Sequence, residues 1–224
     1  MQRKQFLKYL GAALGAAAVP PVLTGCGGGD AAVSVPVPLP GSESAPVLLP
    51  ALSADEIAGL YYMREEEKLA HDVYLALYTQ WGAQVFNNIA QSEAQHTEAV
   101  RGLILAHGLE DPAATTAPGV FVNADLQALY DQLVAMGQPL LIDALKVGCR
   151  VEETDIRDIE KRKAQVIGEP DIVQVYDHLL CGSRNHLRAF NSQLVKQGGV
   201  YEPIVLAPAE WDAIALSPNE SCSG

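Results

Sequence analysis

The sequence has little positive charge. Only 15 of its 224 residues are Lys or Arg, whereas 27 are Asp or Glu, and the formal net charge is −12 at pH 7. Nucleic acids and anionic lipid surfaces are bound chiefly through basic side chains, so this balance argues against both as partners. An acidic chain attracts metal cations, although a solvated acidic surface is the commoner explanation of such a composition.

The sequence also lacks the pattern of β-strands. No alternation of apolar and β-branched residues is long enough to make a sheet. Long segments instead carry apolar residues at three- and four-residue spacing, which is typical of amphipathic helices. The sequence therefore predicts an all-α fold.

Cysteine is scarce as well. Beyond Cys26 the chain has only Cys149, Cys181 and Cys222, an odd number that gives no disulfide framework. Cys149 and Cys181 are expected roughly 12 Å apart on antiparallel helices, whereas a disulfide needs Cα atoms within about 7 Å. We therefore expect both to be small thiols in or near the core, and Cys222 to be unconstrained in a polar tail.

Residues 1–25 have the composition of a secretory signal: a basic start, an apolar run of Ala and Leu, and a small-residue exit. The apolar run is too short and too rich in Ala and Gly for a good membrane-spanning helix. "RKQFLK" resembles a twin-arginine export signal with Lys in one Arg place, so the export route stays open. Removing the three basic residues of this segment leaves 12 basic against 27 acidic residues, a net charge of −15.

The signal ends in "LTGC", which resembles a bacterial lipobox and implies cleavage before Cys26 and lipidation of that residue. The alternative is an ordinary signal peptide that happens to carry a Cys. Gly27 resembles a signal for outer-membrane sorting. We expect an exported protein, lipid-anchored at the periplasmic face of the envelope, with residues 26–52 as the lipidated Cys and a flexible tether.

Four long helices are predicted within a single domain, residues 53–216, followed by a tail, residues 217–224. Capping signals set their ends, including the Ser53–Glu56 capping box and Gly82. The long helices are expected at 53–81, 84–107, 139–166 and 170–197, and short ones at 123–136 and 207–216. About 30 residues separate the second long helix from the third, and one long crossover among short links is the connectivity of ferritin-like four-helix bundles.

Each long helix has an inward stripe that is apolar at both ends and polar in its middle. Counted from the short links at 1.5 Å per residue, these polar positions lie at heights that agree within about 8 Å. They are therefore predicted to meet near the middle of the bundle. Helix by helix they are Glu67, Glu93 and His96, Glu152 and Asp155, and Ser183 and His186.

Such a cluster of buried acids needs compensating positive charge. Oxygen and imidazole ligands suit iron, with manganese as the alternative, and ferritin-like di-metal sites take Glu from two helices and Glu-x-x-His from the other two. The alternative is a metal-free network in which the same groups satisfy one another. The sequence fills five of the six places, with Glu67, Glu93, His96, Glu152 and His186.

Four motifs, "YMREEEKLAHDVYLALYTQWG", "NIAQSEAQH", "VGCRVEETDI" and "GSRNHLRAF", resemble the bacterial and archaeal ferritin-like family known as domain of unknown function 2202. The resemblance covers nearly all of residues 53–215 and implies the bundle fold, but that family has no settled activity. Analogy with the wider ferritin and rubrerythrin superfamily suggests oxygen or peroxide chemistry at a di-iron centre. It also makes Tyr74 a residue that supports the metal site.

The sequence departs from a full di-iron pattern at Ser183, which stands where the fourth helix would carry its second Glu. Asp155, one turn beyond Glu152, could restore the count; otherwise the site would hold one metal, or a loosely bound second one. Arg184 and Arg188 are candidate partners that orient a buried carboxylate, with a surface salt bridge as the alternative.

Several other polar residues are interpreted as solvated. Glu65 and Glu66 belong to this group, with Glu66 the next candidate after Glu67, and Glu153 competes weakly with Glu152. The remaining residues interpreted as lying on the surface are His71, His107, His178 and Asp158.

The leading hypothesis is that bound metal ions, with iron as the first candidate, carry out redox chemistry with O₂ or peroxide. Glu93 or Glu152 would bridge two ions, His96 and His186 would each cap one, and Glu67 and Asp155 would be terminal. One alternative is a module that captures or stores metal without turnover; another is a metal-free interaction domain. The sequence gives no indication of the oligomeric state.

Overall fold

The computed structural model describes residues 51–222, which contain six α-helices and no strand. The all-α prediction is therefore confirmed for this part of the chain. The predicted signal peptide, Cys26 and nearly all of the tether lie outside the described residues. The helices are α1 Ala54–Trp81, α2 Gln84–Ala106, α3 Ala124–Gly137, α4 Leu141–Lys163, α5 Pro170–Lys196 and α6 Pro208–Ala215.

The helix ends follow local chemistry. The side chain of Ser53 accepts from the backbone N–H of Glu56, whose carboxylate accepts from the N–H of Ser53 in return, so the predicted capping box is present. Gly82 ends α1 with φ of 63°, a left-handed conformation that favours glycine. Helix α4 is shorter than predicted. Leu140 is extended, and after Lys163 the backbone hydrogen bonds join residues three apart, as in turns.

Four long helices pack around a common interior. Helix α1 packs along α2 and α4 packs along α5, while α1–α4 and α2–α5 contacts join the two pairs. Only two residues link α1 to α2, so these helices run antiparallel, and six residues link α4 to α5. No helix among residues 51–222 has the length and apolar character needed to cross a bilayer.

The long connection from α2 to α4 is held against α1 by polar contacts. The carboxylate of Glu65 accepts from the backbone N–H groups of Val122 and Asn123. Lys68 donates to the Ala117 carbonyl, and Arg64 pairs with Asp111. Helix α3, which follows, contacts both α1 and α4. The prediction that Glu65 is solvated was wrong, because this connection covers it.

The core is layered along the helices. One aromatic layer joins α1, α2 and α5, where the rings of Tyr74, Phe86 and Phe190 contact one another with centroids 4.9 to 6.4 Å apart. Gly148 of α4 faces this layer, and a Cβ added there would lie 2.4 Å from Cδ1 of Phe190. A side chain at position 148 would therefore displace the aromatic ring.

The C-terminal segment packs on α4 and α5. The carboxylate of Glu153, which is fully buried, accepts from the Tyr201 hydroxyl and from the backbone N–H of Leu206. Trp211 of α6 is buried, and α6 contacts α5. Glu153 thus anchors the segment that leads into α6 and is not a competitor of Glu152.

The tail beyond α6 is fastened to α5. Cys181 and Cys222 form a disulfide with a Cα–Cα distance of 5.6 Å, while Cys149 is a buried free thiol. Glu220 accepts from Arg184 and Arg188. The expectations that Cys181 is a free thiol and that Cys222 is unconstrained were wrong, because the chain returns along α5 after α6. Arg184 likewise pairs with the tail and not with a buried carboxylate of the core.

Candidate metal centre

Acidic and imidazole side chains from four helices meet at mid-height in the core. Glu67 comes from α1, Glu93 and His96 from α2, Glu152 from α4 and His186 from α5. All five are buried, with relative exposures of 0 to 8%. The apolar turns above and below each of them pack against other helices, which fixes the height at which the polar groups lie.

One group consists of Glu67, Glu93 and His96. Nδ1 of His96 lies 2.9 Å from Oε2 of Glu93 and 3.2 Å from Oε2 of Glu67. One donor atom from each residue falls within 4.8 Å of the other two, a spacing at which the three could share a metal ion.

A second group consists of Glu93, Glu152 and His186. Nδ1 of His186 lies 2.8 Å from Oε1 of Glu93 and 3.5 Å from Oε2 of Glu152. Glu93 therefore belongs to both groups, with Oε2 facing His96 and Oε1 facing His186. The two imidazole rings are stacked, with centroids 5.5 Å apart.

Several donor atoms in these groups have no hydrogen-bond partner. They are Oε1 of Glu67, both carboxylate oxygens of Glu93 and Nδ1 of His186, all buried. The contacts of Glu93 with the imidazoles are short, yet they are not aligned as hydrogen bonds. Such atoms are costly when buried alone, and here those of Glu93 and His186 have only ion-pair contacts with each other.

The pKa values of the three glutamates depend on two opposing effects, burial and attraction to the imidazoles. Burial raises the pKa of Glu67 to about 7, with His96 opposing the rise, and burial raises the pKa of Glu152 to about 6 against the pull of His186. Burial would also raise the pKa of Glu93, but His186 and His96 outweigh it and hold that pKa well below its usual range.

The imidazoles respond in the opposite direction. Burial disfavours the charged ring, but Glu93 and the second carboxylate beside each ring outweigh it. The pKa of His186 is raised to about 10 and that of His96 well above its usual value. The acids of the centre thus favour positive charge at this depth in the core.

Side chains around the centre orient its members. Tyr74 donates to Oε1 of Glu152 at 2.5 Å. Nε2 of His186 lies 2.9 Å from the Ser92 hydroxyl, which leaves Nδ1 facing the acids. A partner on the far nitrogen is the usual way in which a protein fixes a metal-binding ring.

Asp155 and Ser183 lie beside the centre but outside both groups. Ser183 donates to Oδ2 of Asp155 at 2.5 Å, and Oδ1 of Asp155 is buried without a hydrogen-bond partner. Burial raises the pKa of Asp155 well above its usual value, and Glu67 adds to the rise. Asp155 is therefore next to the two groups without contributing a donor atom to either.

Glu66, predicted to be solvated, is buried. Oε2 of Glu66 has no hydrogen-bond partner, and the neighbouring Asp158, which is half-buried rather than exposed, accepts from the Tyr62 hydroxyl. Burial, followed by the neighbouring Asp158, raises the pKa of Glu66 well above its usual value. Glu66 belongs to α1 and Asp158 to α4, and Glu66 points about 100° away from Glu67 around the axis of α1.

Gly182 was missed by sequence reasoning. A Cβ added there would lie 2.6 Å from both Cε1 and Nε2 of His96, so only glycine leaves room for that ring. A glycine inside a helix, one residue before Ser183, was the available signal. Of the histidines interpreted as lying on the surface, His178 is exposed and His71 is half-buried, whereas the side chain of His107 is only 2% exposed.

The described part of the chain is thus an all-helical protein with two adjoining carboxylate–imidazole groups in its core. Residues 56–218 match the family model of an uncharacterized protein domain, DUF2202, and the chain belongs to that family.

A relative of known sequence is an uncharacterized protein, MJ0754, from Methanocaldococcus jannaschii. It is 44% identical over 169 residues, which cover 75% of this chain and 91% of the relative. The crystal structure of that hypothetical protein from M. jannaschii superposes with a TM-score of 0.74 and covers 77% of this chain and 99% of the other.

Proposed function

We propose that this protein is a ferritin-like four-helix bundle that binds two metal ions in its core and uses them in redox chemistry with O₂ or peroxide. Iron is the first candidate for these ions. The observation that carries the proposal is the set of buried donor atoms without hydrogen-bond partners, on Glu67, Glu93 and His186. Cations at this depth would satisfy these atoms and neutralise the acids that burial otherwise penalises.

The donor spacing supports two adjacent ions. Ligands about 2.1 Å from a shared ion lie roughly 3 to 3.5 Å from each other, and the imidazole–carboxylate contacts here measure 2.8 to 3.5 Å. Glu67, Glu93 and His96 would hold one ion, and Glu93, Glu152 and His186 the other. Glu93 would then belong to both ligand sets. Asp155, which accepts from Ser183, would not be a ligand.

The arrangement of helices supports the ferritin-like assignment. Two antiparallel pairs, α1 with α2 and α4 with α5, are joined by one long connection that contains α3. That connectivity is the one found in ferritin-like bundles, in which metal ligands project inward from all four helices.

Iron held by these residues would supply the redox chemistry. The residues of this chain would position and insulate that step. Tyr74 and Ser92 hold Glu152 and His186 in place. The aromatic layer of Tyr74, Phe86 and Phe190 keeps bulk water from one side of the centre.

The direct test is metal analysis of protein purified without chelators, with His186→Ala compared with Ser192→Ala, an exposed residue of the same helix. We expect about two ions in the core of each wild-type chain, a loss of at least one in His186→Ala and none in Ser192→Ala. Equal metal content in the three proteins would contradict the proposal. Consumption of O₂ or peroxide by the iron-loaded protein would separate redox turnover from capture or storage without turnover.

We also propose that Cys26 carries a lipid that anchors the protein at the envelope. The support is the "LTGC" motif and the composition of residues 1–25. Expressed in a bacterium with lipoprotein processing, the full chain should fractionate with membranes and incorporate labelled fatty acid, and Cys26→Ser should abolish both. Incorporation of the label into the Cys26→Ser variant would refute the assignment.

A further inference from the structure

A third cluster of metal-ligating side chains lies far from the core centre, where α2 ends and α5 begins. His107 caps the C-terminus of α2, Glu169 is the residue before α5, and Asp171 lies in the first turn of α5. One donor atom of each lies within 4.8 Å of the others. His107 comes 11 residues after His96, which is about 16 Å along a helix, so this cluster is separate from the core centre.

The geometry suits a shared cation. Nε2 of His107 and Oδ2 of Asp171 share a hydrogen bond of 2.9 Å, a spacing that two ligands of one ion also adopt. The side chain of His107 is 2% exposed and that of Asp171 is 40% exposed. Two of the ligands would thus be held by the protein interior, while the third borders solvent and leaves the ion accessible to exchange and to water ligands.

Glu169 provides the second, independent observation. It is only 5% exposed, yet its carboxylate accepts no hydrogen bond from any residue in the range 51–222. Carboxylates that are buried to this extent are normally paired or hydrogen-bonded. One carboxylate oxygen of Glu169 lies within 4.8 Å of a donor atom of His107 and of one of Asp171.

The surrounding charges favour a cation. A third acid, Glu56, lies within electrostatic reach of His107, and its own carboxylate is occupied by Ser53 and by the N–H of Ile167. The partial negative charge at the end of α2 offsets the partial positive charge at the start of α5. The carboxylates of Glu169 and Asp171 therefore decide the sign of the local potential.

We propose that His107, Glu169 and Asp171 form a further binding site for a divalent transition-metal ion, of the type that Zn²⁺ represents. One imidazole, two carboxylates and water complete the coordination of such an ion. Because its ligands come from the end of α2 and the start of α5, the ion would fasten these two helices together. This site does not depend on the proposed redox function.

Glu169→Gln gives a sharp test, because the carboxylate has no hydrogen bond to lose. Without metal, the variant should melt at the same temperature as wild type or higher, since one like charge is removed. With Zn²⁺ the order should reverse, and the variant should bind one equivalent less or at least tenfold more weakly. The measurements are Zn²⁺ titration against a chromophoric chelator and thermal melting with and without Zn²⁺.

Glu110→Gln is the matched control: it removes the same charge from an exposed residue three positions after His107. It should keep the wild-type Zn²⁺ stoichiometry and melting shift, and the core centre contributes equally to all of these proteins. Asp171→Asn, at a half-exposed position, should reproduce the loss. If Glu169→Gln and Asp171→Asn bind Zn²⁺ as Glu110→Gln does, the site does not exist.

Discussion

Glu93 directs its two carboxylate oxygens toward different imidazoles, His96 on its own helix and His186 on α5. Of the residues in the core centre, it alone belongs to both groups of potential ligands. Glu152, by contrast, belongs to one group and has a second partner in Tyr74. The two glutamates should therefore differ in what their removal does.

We expect Glu93→Gln to abolish retention of both proposed ions, with affinity lowered by more than about 100-fold, the upper end for residues that merely support a ligand. Glu152→Gln should lose one ion and keep the other. Glu98→Gln, an exposed change on the same helix, is the control. Metal content after dialysis against a weak chelator measures all three, and a Glu93→Gln protein as metal-rich as the control would exclude the bridging role.

The run of three glutamates on α1 shows why part of the site could not be predicted at the level of single residues. Glu65, Glu66 and Glu67 are all buried, although successive helical positions point in directions about 100° apart. Periodicity identifies Glu67 because it continues an apolar stripe. It cannot show that the crossover covers Glu65 or that Asp158 of α4 meets Glu66, since both depend on tertiary packing.

At the scale of whole elements, the helices and their polar interruptions follow from the sequence. The 3–4 spacing selected inward positions on α1, α2 and α5 that are all buried, including Glu67, His96 and His186. The same spacing could not distinguish Asp155, which is equally buried but turns to Ser183. Asp155 and Glu152 both lie on the inward face of α4, and only the geometry of their side chains distinguishes them.

Gly148 of α4 offers a test of the packing between helices. In Gly148→Ala the new methyl group would meet the Phe190 ring at 2.4 to 2.6 Å, and overpacking of this kind costs about 1–3 kcal/mol. Gly102→Ala on α2 is the control, because nothing lies within 4 Å of the added Cβ. Both changes gain about 1 kcal/mol of helix propensity.

The free energies of unfolding of the two variants should therefore differ by the full packing cost, with Gly148→Ala the less stable. Denaturant melts of wild type and both variants provide the measurement. Equal stability of the two alanine variants would mean that the aromatic layer yields to the methyl group without cost.

At the scale of the whole molecule, the return of the C-terminal segment was not predicted. No periodicity links residues 217–222 to α5, and the count of cysteines drew attention to Cys149 and Cys181 instead. The pairing of Cys181 with Cys222 across 41 residues depends on the position of α6, which packs on α5. Long-range chain return of this kind leaves no local signal in a single sequence.

Removing this disulfide should lower global stability. Cys222→Ser is expected to reduce the free energy of unfolding by about 2–4 kcal/mol, mainly because the unfolded chain is no longer constrained by the 41-residue loop. Denaturant melts with and without a reductant check this. Wild type should fall to the level of the variant when reduced, whereas the variant should not respond; a response in Cys222→Ser would point to another thiol.

The contacts between the C-terminal tail and α5 have a practical consequence for the preparation of the protein. Arg184 and Arg188 bind Glu220, and Asn185 binds its backbone, so three contacts flank His186 within one and a half helical turns. A purification tag fused close to Glu220, or a truncation before it, would loosen the turn of α5 that carries this imidazole. A test of the proposed metal centre on such a preparation would then report on the altered tail as well as on the ligands.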